Sequence, residues 1–340
     1  MSGRRVIRAP NHLGDVVAAL PAIRADGADV LIVRGLAPLL EMAGVGGEVL
    51  SFDRGPRGFL RAAGELRRRR YEEGVLLTPS FSAAWLLRWG GVRRLRGTAT
   101  DGRSFLLNER VSTEALRPHH RIDAYRLVLG AEPAEIVGAP RAHRLAAPEE
   151  RVARWRALLP QGPGALVGFF PGANAPARRW PADRFSELAR RIAEAGARLV
   201  VMGGPGEAAL TARVAAAVPG VLDTGGRTDL VDLAALLSLC DLVVTNDTGP
   251  MHLAGAVGTP TVSLWGASDP DDVRQVGAPD VRVTGPPLPC KPCYRNHCVR
   301  RGAGTLLPDA HEECMRLIDV DSVVRAVEAS LGQGEGATGV

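Results

Sequence analysis

The chain has 340 residues, is 46% hydrophobic and has a mean hydropathy of +0.01, the profile of an ordinary water-soluble protein long enough for two domains. No run approaches the roughly 18 apolar residues of a membrane span, and five cysteines are too few for a disulfide framework at this length. The formal charge is +5 with a pI near 9.3, but aromatic residues are only 4% and no interleaved basic–aromatic pattern occurs, which argues against a nucleic-acid partner.

Of the 42 basic residues Lys291 is the only lysine, a compositional bias rather than a chemical one. The distribution of charge is more informative. Between Arg61 and Arg96 there are nine arginines and three acids. That segment reads either as a solvated helix face or as a surface for an anionic partner or anionic membrane. After Met1 the chain enters a strand-like run with no apolar leader, so a cytoplasmic location is expected.

In chain order, Arg5 to Ala9 reads as a strand, followed by the polar turn Pro10-Asn11-His12-Leu13-Gly14-Asp15. Val16 to Ile23 is apolar and helical, with Pro21 expected to kink or restart it. Strands are predicted at Asp29–Val33, Val49–Phe52, Gly74–Leu77 and Val92–Arg96. Helices are predicted at Phe59–Arg70, after Ser82 across Trp85 and Trp89, and at His120–Leu129. A looser Ala- and Pro-rich stretch covers Gly130 to Pro148, and Glu149 to Leu159 reads as a helix. A boundary is placed near Gly162. Beyond it, strands are expected at Leu166–Phe170, Arg198–Met202, Val221–Thr224, Leu242–Thr245 and Thr261–Leu264. Helices are expected at Pro181–Ala195, after Glu207, at Asp229–Cys240 and at Met251–Val257, with Gly258 as the left-handed stop.

Strands and helices thus alternate twice over, which predicts two doubly wound α/β domains. Residues 1–161 and 162–331 are the expected domains, and residues 332–340 a Gly-rich tail. Ligands of such sheets bind beyond the carboxyl ends of the strands. Three loops stand there: His12–Asp15, Pro171–Trp180 and Asn246–His252. Asp247, Thr248, Gly249 and His252 open one short helix, whose free N–H groups and dipole suit a phosphate. Asp247 suits sugar hydroxyls; alternatively Asp247 and Thr248 only cap the helix. Arg178 and Arg179 precede another helix and would grip an anion with it. Glu207 in Gly203-Gly204-Pro205-Gly206-Glu207 could reach sugar hydroxyls. No G-x-G-x-x-G lies between strand and helix, and there is no Walker A sequence or nucleophile elbow.

These loops, in this order, resemble glycosyltransferase family 9, the lipopolysaccharide heptosyltransferases. The matching motifs are LGDVVAALPA (Leu13 to Ala22), PGANAPARRWP (Pro171 to Pro181) and DTGPMH (Asp247 to His252), and the likeness extends to about Leu331. The resemblance implies a GT-B fold, two Rossmann-like domains facing a cleft, and an inverting transfer that needs no metal. It implies ADP-heptose as donor, held by Asp247, Thr248, Gly249 and His252, with Arg178 toward the phosphates and Thr228 beside the adenine. It implies Asp15 as the base on the acceptor side; His12, in the same loop, is the fallback base. The acceptor would be the phosphorylated, lipid-linked lipopolysaccharide core, with peripheral contact to the inner membrane face. Rival readings are a relative using another nucleotide sugar, a non-catalytic sugar-nucleotide sensor, and a zinc-stapled basic module.

Cys290, Cys293, Cys298 and Cys314 form C-x-x-C-x4-C-x15-C, with His297 and His311 nearby. Thiolates at this spacing fit a structural zinc site; separate thiols in a loop are the alternative.

Overall fold

The computed structural model describes residues 4–132, 144–298 and 313–335. The chain divides into two compact units, Met1–Leu145 and Ala146–Val340. The first contains β1 (Arg5–Arg8), α1 (Leu13–Asp26), β2 (Asp29–Val33), α2 (Ala37–Ala43), β3 (Val49–Phe52), α3 (Pro56–Arg69), β4 (Glu73–Leu76), α4 (Phe81–Trp89), β5 (Arg94–Thr98), β6 (Glu109–Val111), α5 (Thr113–Leu116) and α6 (Arg121–Leu129). Its six strands pair in parallel in the order β3-β2-β1-β4-β5-β6.

The second unit contains α7 (Glu149–Leu158), β7 (Leu166–Phe170), α8 (Ala182–Glu194), β8 (Arg198–Val201), α9 (Ala208–Ala215), β9 (Leu222–Asp223), α10 (Leu230–Leu239), β10 (Leu242–Asn246), α11 (Gly249–Val257), β11 (Thr261–Trp265), α12 (Pro270–Val273), β12 (Asp280–Thr284), α13 (Glu313–Arg316) and α14 (Val320–Glu335). Its six strands are also parallel, in the order β12-β11-β10-β7-β8-β9. The two doubly wound α/β units expected from the alternation are therefore present.

Parallel strands covered on both faces read as continuous apolar runs, and β7, β10 and β11 are buried at every residue. Helix α8 shows how the covering works. Phe185, Leu188, Ala189 and Ile192 fall on one face and are all buried, and the Phe185 ring meets Trp180 edge-on at 5.0 Å. In each unit the strand order reverses at one point: between β1 and β4 in the first, and between β7 and β10 in the second. The segments that follow β1, β7 and β10 carry His12, Asp15, Arg178, Arg179 and Asp247 to His252, whereas Glu207 follows β8 and Thr228 follows β9.

Several expectations are corrected. The units separate at Leu145, ahead of the expected boundary near Gly162. Helix α7 belongs to the second unit because Trp155 Nε1 and Arg151 Nη1 donate to the buried Asp232 Oδ1 on α10, at 2.9 and 2.7 Å. The expected tail from residue 332 is helical as far as Glu335. Leu331 packs on the core, and the helix propagates past it, since each further residue adds a backbone hydrogen bond. Residues 336–340 lie outside the described set. Pro21 does not interrupt α1, which runs unbroken from Leu13 and buries the proline. Strands β6 and β12 were not anticipated.

Candidate active site

In the second unit, the loops after β7 and β10 are tied together by one amide. Asn246, the last residue of β10, is fully buried. Its Nδ2 donates to Pro171 O at 2.8 Å and to Gly172 O at 3.3 Å, and its Oδ1 accepts from Trp180 N at 3.0 Å. Trp180 is itself held by its Nε1 on Ile318 O at 3.0 Å. The turn carrying Arg178 is thereby fixed beside Asp247. Arg178 Nη1 lies 3.2 Å from Asp247 Oδ2, and the Asp247 side chain is only 4% exposed. The pair is poorly aligned for a hydrogen bond: Asp247 Oδ2 and Arg178 Nε are both buried without a hydrogen-bond partner among the described residues. A carboxylate oxygen accepts only and a guanidinium donates only. The site therefore offers one acceptor and one donor to a ligand carrying both hydroxyls and anionic oxygens.

Thr248 occupies the N-cap of α11 but makes no side-chain cap bond, so its hydroxyl is not consumed by capping. Gly249 begins the helix and His252 lies half-buried in its opening turns. Glu207 reaches the same loops. Its Oε2 accepts from Gly204 N at 2.8 Å, and a Cβ on Gly172 would stand 1.9 Å from Glu207 Oε1, so a larger residue there would displace the Glu207 carboxylate. Arg179 Nε donates to Ala173 O at 2.7 Å, which braces its own loop. Thr228 is half-buried just ahead of Asp229, the N-cap of α10, and no hydrogen bond among the described residues links it to the Asp247 loop.

In the first unit, His12 is the N-cap of α1, with an exposed side chain that makes no cap bond. Asp15 therefore sits in the first turn rather than at the cap. Its Oδ1 accepts from Tyr125 Oη at 3.0 Å and lies 3.5 Å from Arg121 Nη1, both from α6. Burial, and next the Asp15 charge, push the Tyr125 phenol well above its ordinary range, so it stays protonated and donating. Neither Tyr125 nor Arg121 was foreseen. The only signal was a tyrosine on the inward face of a predicted helix.

A second unforeseen group is Arg8, at the end of β1. It is only 3% exposed, it donates to Ala9 O and to Asn11 Oδ1, and its Nε has no partner among the described residues. Burial, reinforced by the neighbouring Arg54, lowers its pKa to about 10, so it remains a cation at neutral pH. Arg8, Asn11, Phe52 and Arg54 line a pocket of about 380 Å³. Asn11 Nδ2 also reaches Thr78 Oγ1 at 3.3 Å, linking the loops after β1 and β4.

The cysteine segment lies at the end of β11. Cys293 N and Tyr294 N donate to Ala267 O, both at 2.9 Å, and a Cβ on Gly266 would stand 2.9 Å from Cys314 Sγ. Burial raises the Cys314 thiol; Lys291 opposes this, while Cys298 and Cys293 add to it. Among the described residues, no three His, Cys, Asp or Glu side chains are placed to hold a metal ion. His311 lies outside the described set. Asn296 O accepts from Ala177 N at 3.1 Å, so this segment also braces the Arg178 turn.

The sequence profile of Glycosyltransferase family 9 (heptosyltransferase) matches residues 59–303. Lipooligosaccharide heptosyltransferase 2 of Haemophilus influenzae is 26% identical over 227 residues, 61% of this chain and 64% of that protein. Lipopolysaccharide heptosyltransferase 2 of Salmonella typhimurium is 36% identical over 112 residues, 31% of this chain and 32% of that protein. The chain thus aligns with less than two thirds of the length of these curated relatives. The solved structure of E. coli ADP-heptose lps heptosyltransferase II superposes with a TM-score of 0.76 at 22% identity, covering 98% of this chain and 99% of that one, a likeness of fold.

Proposed function

The chain belongs to glycosyltransferase family 9, and from that premise we propose that it transfers heptose from ADP-L-glycero-D-manno-heptose to a lipopolysaccharide inner-core acceptor, a reaction of the heptosyltransferase II type. The observation that carries the reading is the pairing of buried Asp247 with half-buried Arg178 at the strand reversal of the second unit, with an orphaned acceptor and an orphaned donor. Asp247 Oδ2 suits a heptose hydroxyl. Arg178, with the first N–H groups of α11, suits the diphosphate. Thr248, Gly249 and His252 belong to the same donor loop, Glu207 borders it, and Thr228 takes the adenine end.

The reaction is a single displacement. Asp15 removes the proton of the acceptor hydroxyl as its oxygen bonds to the anomeric carbon. The bond from that carbon to the phosphate oxygen breaks on the opposite face, which inverts the configuration. The leaving ADP gains negative charge, which Arg178 and the α11 N–H groups stabilise. Arg8 and Arg54, beside the Asp15 loop, suit an acidic group of the acceptor. The transfer proceeds without a metal.

Calorimetric titration with ADP and with UDP tests the donor assignment. ADP is expected to bind and UDP to bind at least about tenfold more weakly, a difference of roughly 1.4 kcal/mol. Equal binding of the two, or binding of neither, would overturn it. Release of ADP dependent on a core acceptor tests the transfer itself.

A further inference from the structure

One face of α4 is aromatic and uncovered. Phe81, Trp85 and Trp89 recur every fourth residue and are 37%, 43% and 43% exposed, while Ala83, Ala84, Leu86 and Leu87 are buried beneath them. The rings touch in series. Phe81 and Trp85 stack at 6.2 Å, and Trp85 and Trp89 meet edge-on at 6.1 Å. Phe105, 69% exposed, extends the row beyond Phe81 at 6.1 Å. Phe59 extends it beyond Trp89 at 5.8 Å, next to Leu60, which is 56% exposed.

This is not a loose hydrophobic loop. Arg103 is fully buried and donates to Thr78 O at 2.6 Å, Ser80 O at 3.2 Å and Thr98 O at 2.9 Å. The Asp101 carboxylate accepts from Phe81 N at 2.6 Å. The segment bearing Phe105 is thereby clamped to the start of α4. An exposed aromatic row held this rigidly is a built surface rather than incidental exposure.

Its surroundings are cationic. Arg57, Arg61 and Arg67 on α3 are exposed, and the Arg67 stem lies against Gly91, just past Trp89. Arg57 and Arg67 make no ion pair among the described residues, unlike Arg68 and Arg69, which are bound to Glu65 and Glu48. Tryptophan and phenylalanine settle at the level of lipid headgroups, and nearby arginines are drawn to anionic lipid.

We propose that the row Phe105–Phe81–Trp85–Trp89–Phe59, with Arg57, Arg61 and Arg67, docks the protein onto an anionic lipid bilayer. The attachment is peripheral, because among the described residues no helix is long and apolar enough to cross a membrane. The row starts at the carboxyl end of β4, where Thr78 meets Asn11 of the Asp15 loop. Its consequence for catalysis rests on the transferase reading: a lipid-linked acceptor would be met at the bilayer surface by the end of the sheet that carries Asp15.

The test uses the full chain with vesicles of phosphatidylglycerol and phosphatidylethanolamine, and with vesicles of phosphatidylcholine alone, at about 0.1 M salt. The protein should co-sediment with the anionic vesicles only. Trp155, Trp180 and Trp265 are all buried, so a blue shift of emission on binding reports Trp85 and Trp89. Trp85→Ser with Trp89→Ser should weaken vesicle binding about tenfold or more. So should Arg57→Gln with Arg67→Gln, which should also flatten its salt dependence. Phe105→Ser, whose side chain is the most exposed of the row, gives a second apolar probe should the tryptophan variant misfold. Four results would overturn the proposal: no binding to anionic vesicles; binding unchanged in folded variants; light scattering showing a dimer that the tryptophan substitutions dissociate; or competition by single-stranded RNA for the same residues. Turnover of a lipid-free core acceptor separates the two readings. It should be unaffected in the tryptophan variant, and its absence in the wild type would sink the transferase reading while leaving vesicle binding to be judged separately.

Discussion

Replacing Asp15 by asparagine separates catalysis from structure. Asparagine keeps an oxygen that can accept from Tyr125 Oη, now 3.0 Å from the carboxylate, so the contact between α1 and α6 survives. Two favourable terms are lost. The Arg121 interaction spans 3.5 Å between side chains 48% and 32% exposed. At such exposure an ion pair contributes about 0–1 kcal/mol. A carboxylate in the first turn adds about 0.3–1 kcal/mol through the helix dipole. Together they total at most about 2 kcal/mol, a fall in melting temperature of several degrees. A lost general base instead costs roughly 10²–10⁴-fold in turnover, or about 2.7–5.4 kcal/mol of activation free energy. The assay is release of ADP from ADP-heptose with a core acceptor, alongside calorimetric ADP binding and thermal unfolding. Asp15→Asn should lose turnover in that range while binding ADP as the wild type does. Tyr125→Phe, which removes one hydrogen bond worth about 1 kcal/mol, should stay within about tenfold of wild type. Near wild-type turnover in Asp15→Asn would refute the assignment, and a matching loss in His12→Ala would move it to His12. Equal losses in Asp15→Asn and Tyr125→Phe would make the pair a positioning device instead.

Asp247→Ala and Arg178→Ala should each weaken ADP-heptose binding about tenfold or more, since a hydrogen bond to a charged group contributes roughly 1.5–3 kcal/mol; unchanged donor affinity in both would remove the donor loop from the site. Burial alone would raise the Asp232 carboxyl, but hydrogen bonds from Trp155 and Arg151 outweigh it and hold it below the usual range. A depressed carboxylate stabilises above its unfolded pKa near 3.9, and that stability is lost as pH falls through the folded value. Asp232→Asn should therefore cost about 1–2 kcal/mol in urea unfolding at pH 7 and progressively less below about pH 4; a difference independent of pH would contradict this. Metal analysis of protein purified without chelator tests the cysteine segment: separate thiols should carry no stoichiometric zinc, and about one zinc per chain, lost in Cys293→Ser, would show that the sulfurs converge on an ion. Metal-free protein with an unchanged melting temperature would leave them as separate thiols.

The alternation of apolar runs and turn residues predicted both sheets because parallel strands are buried on two sides and leave a strong signal. Edge strands leave a weak one. β12 has one neighbour and is mostly exposed, and β6 is three residues long, so neither was predicted. The place of α7 was hidden for another reason. Its attachment depends on Trp155 and Arg151 reaching an aspartate more than seventy positions away, a pairing that periodicity does not encode. The same holds at the candidate site. Arg178 and Asp247 were foreseen because each follows a strand, and the strand reversal brings those ends together. Arg179 looked equivalent to its neighbour, yet its Nε is bound to a carbonyl of its own loop. Tyr125 and Arg121 come from a helix far along the chain, chosen by helix packing rather than by any local motif. The cysteine spacing fits metal ligation, yet among the described residues no three such side chains are placed around one ion.

Arg8 and Arg103 show how a buried cation can be assigned to fold or to function. Both are buried, neither has an ion pair with an acid among the described residues, and burial lowers both to about 10. Every nitrogen of Arg103 has an acceptor: Thr98 O, Thr78 O, Ser80 O and Thr98 Oγ1. Four of its five N–H groups are committed within the fold, so it fastens loops. Arg8 keeps an unpartnered Nε, adjoins Arg54 and faces a pocket. An unsatisfied buried polar group costs about 1–3 kcal/mol, and a like charge beside it adds to that cost. Asp247 Oδ2 and Arg178 Nε carry the same kind of deficit at the strand reversal of the other unit. Where a deficit could be relieved by one ordinary substitution yet sits at the end of a parallel sheet, a ligand that supplies the missing partner is the economical account. An anion would complete Arg8, and a hydroxyl would complete Asp247. These are the two chemistries that a sugar transfer to an acidic acceptor brings together.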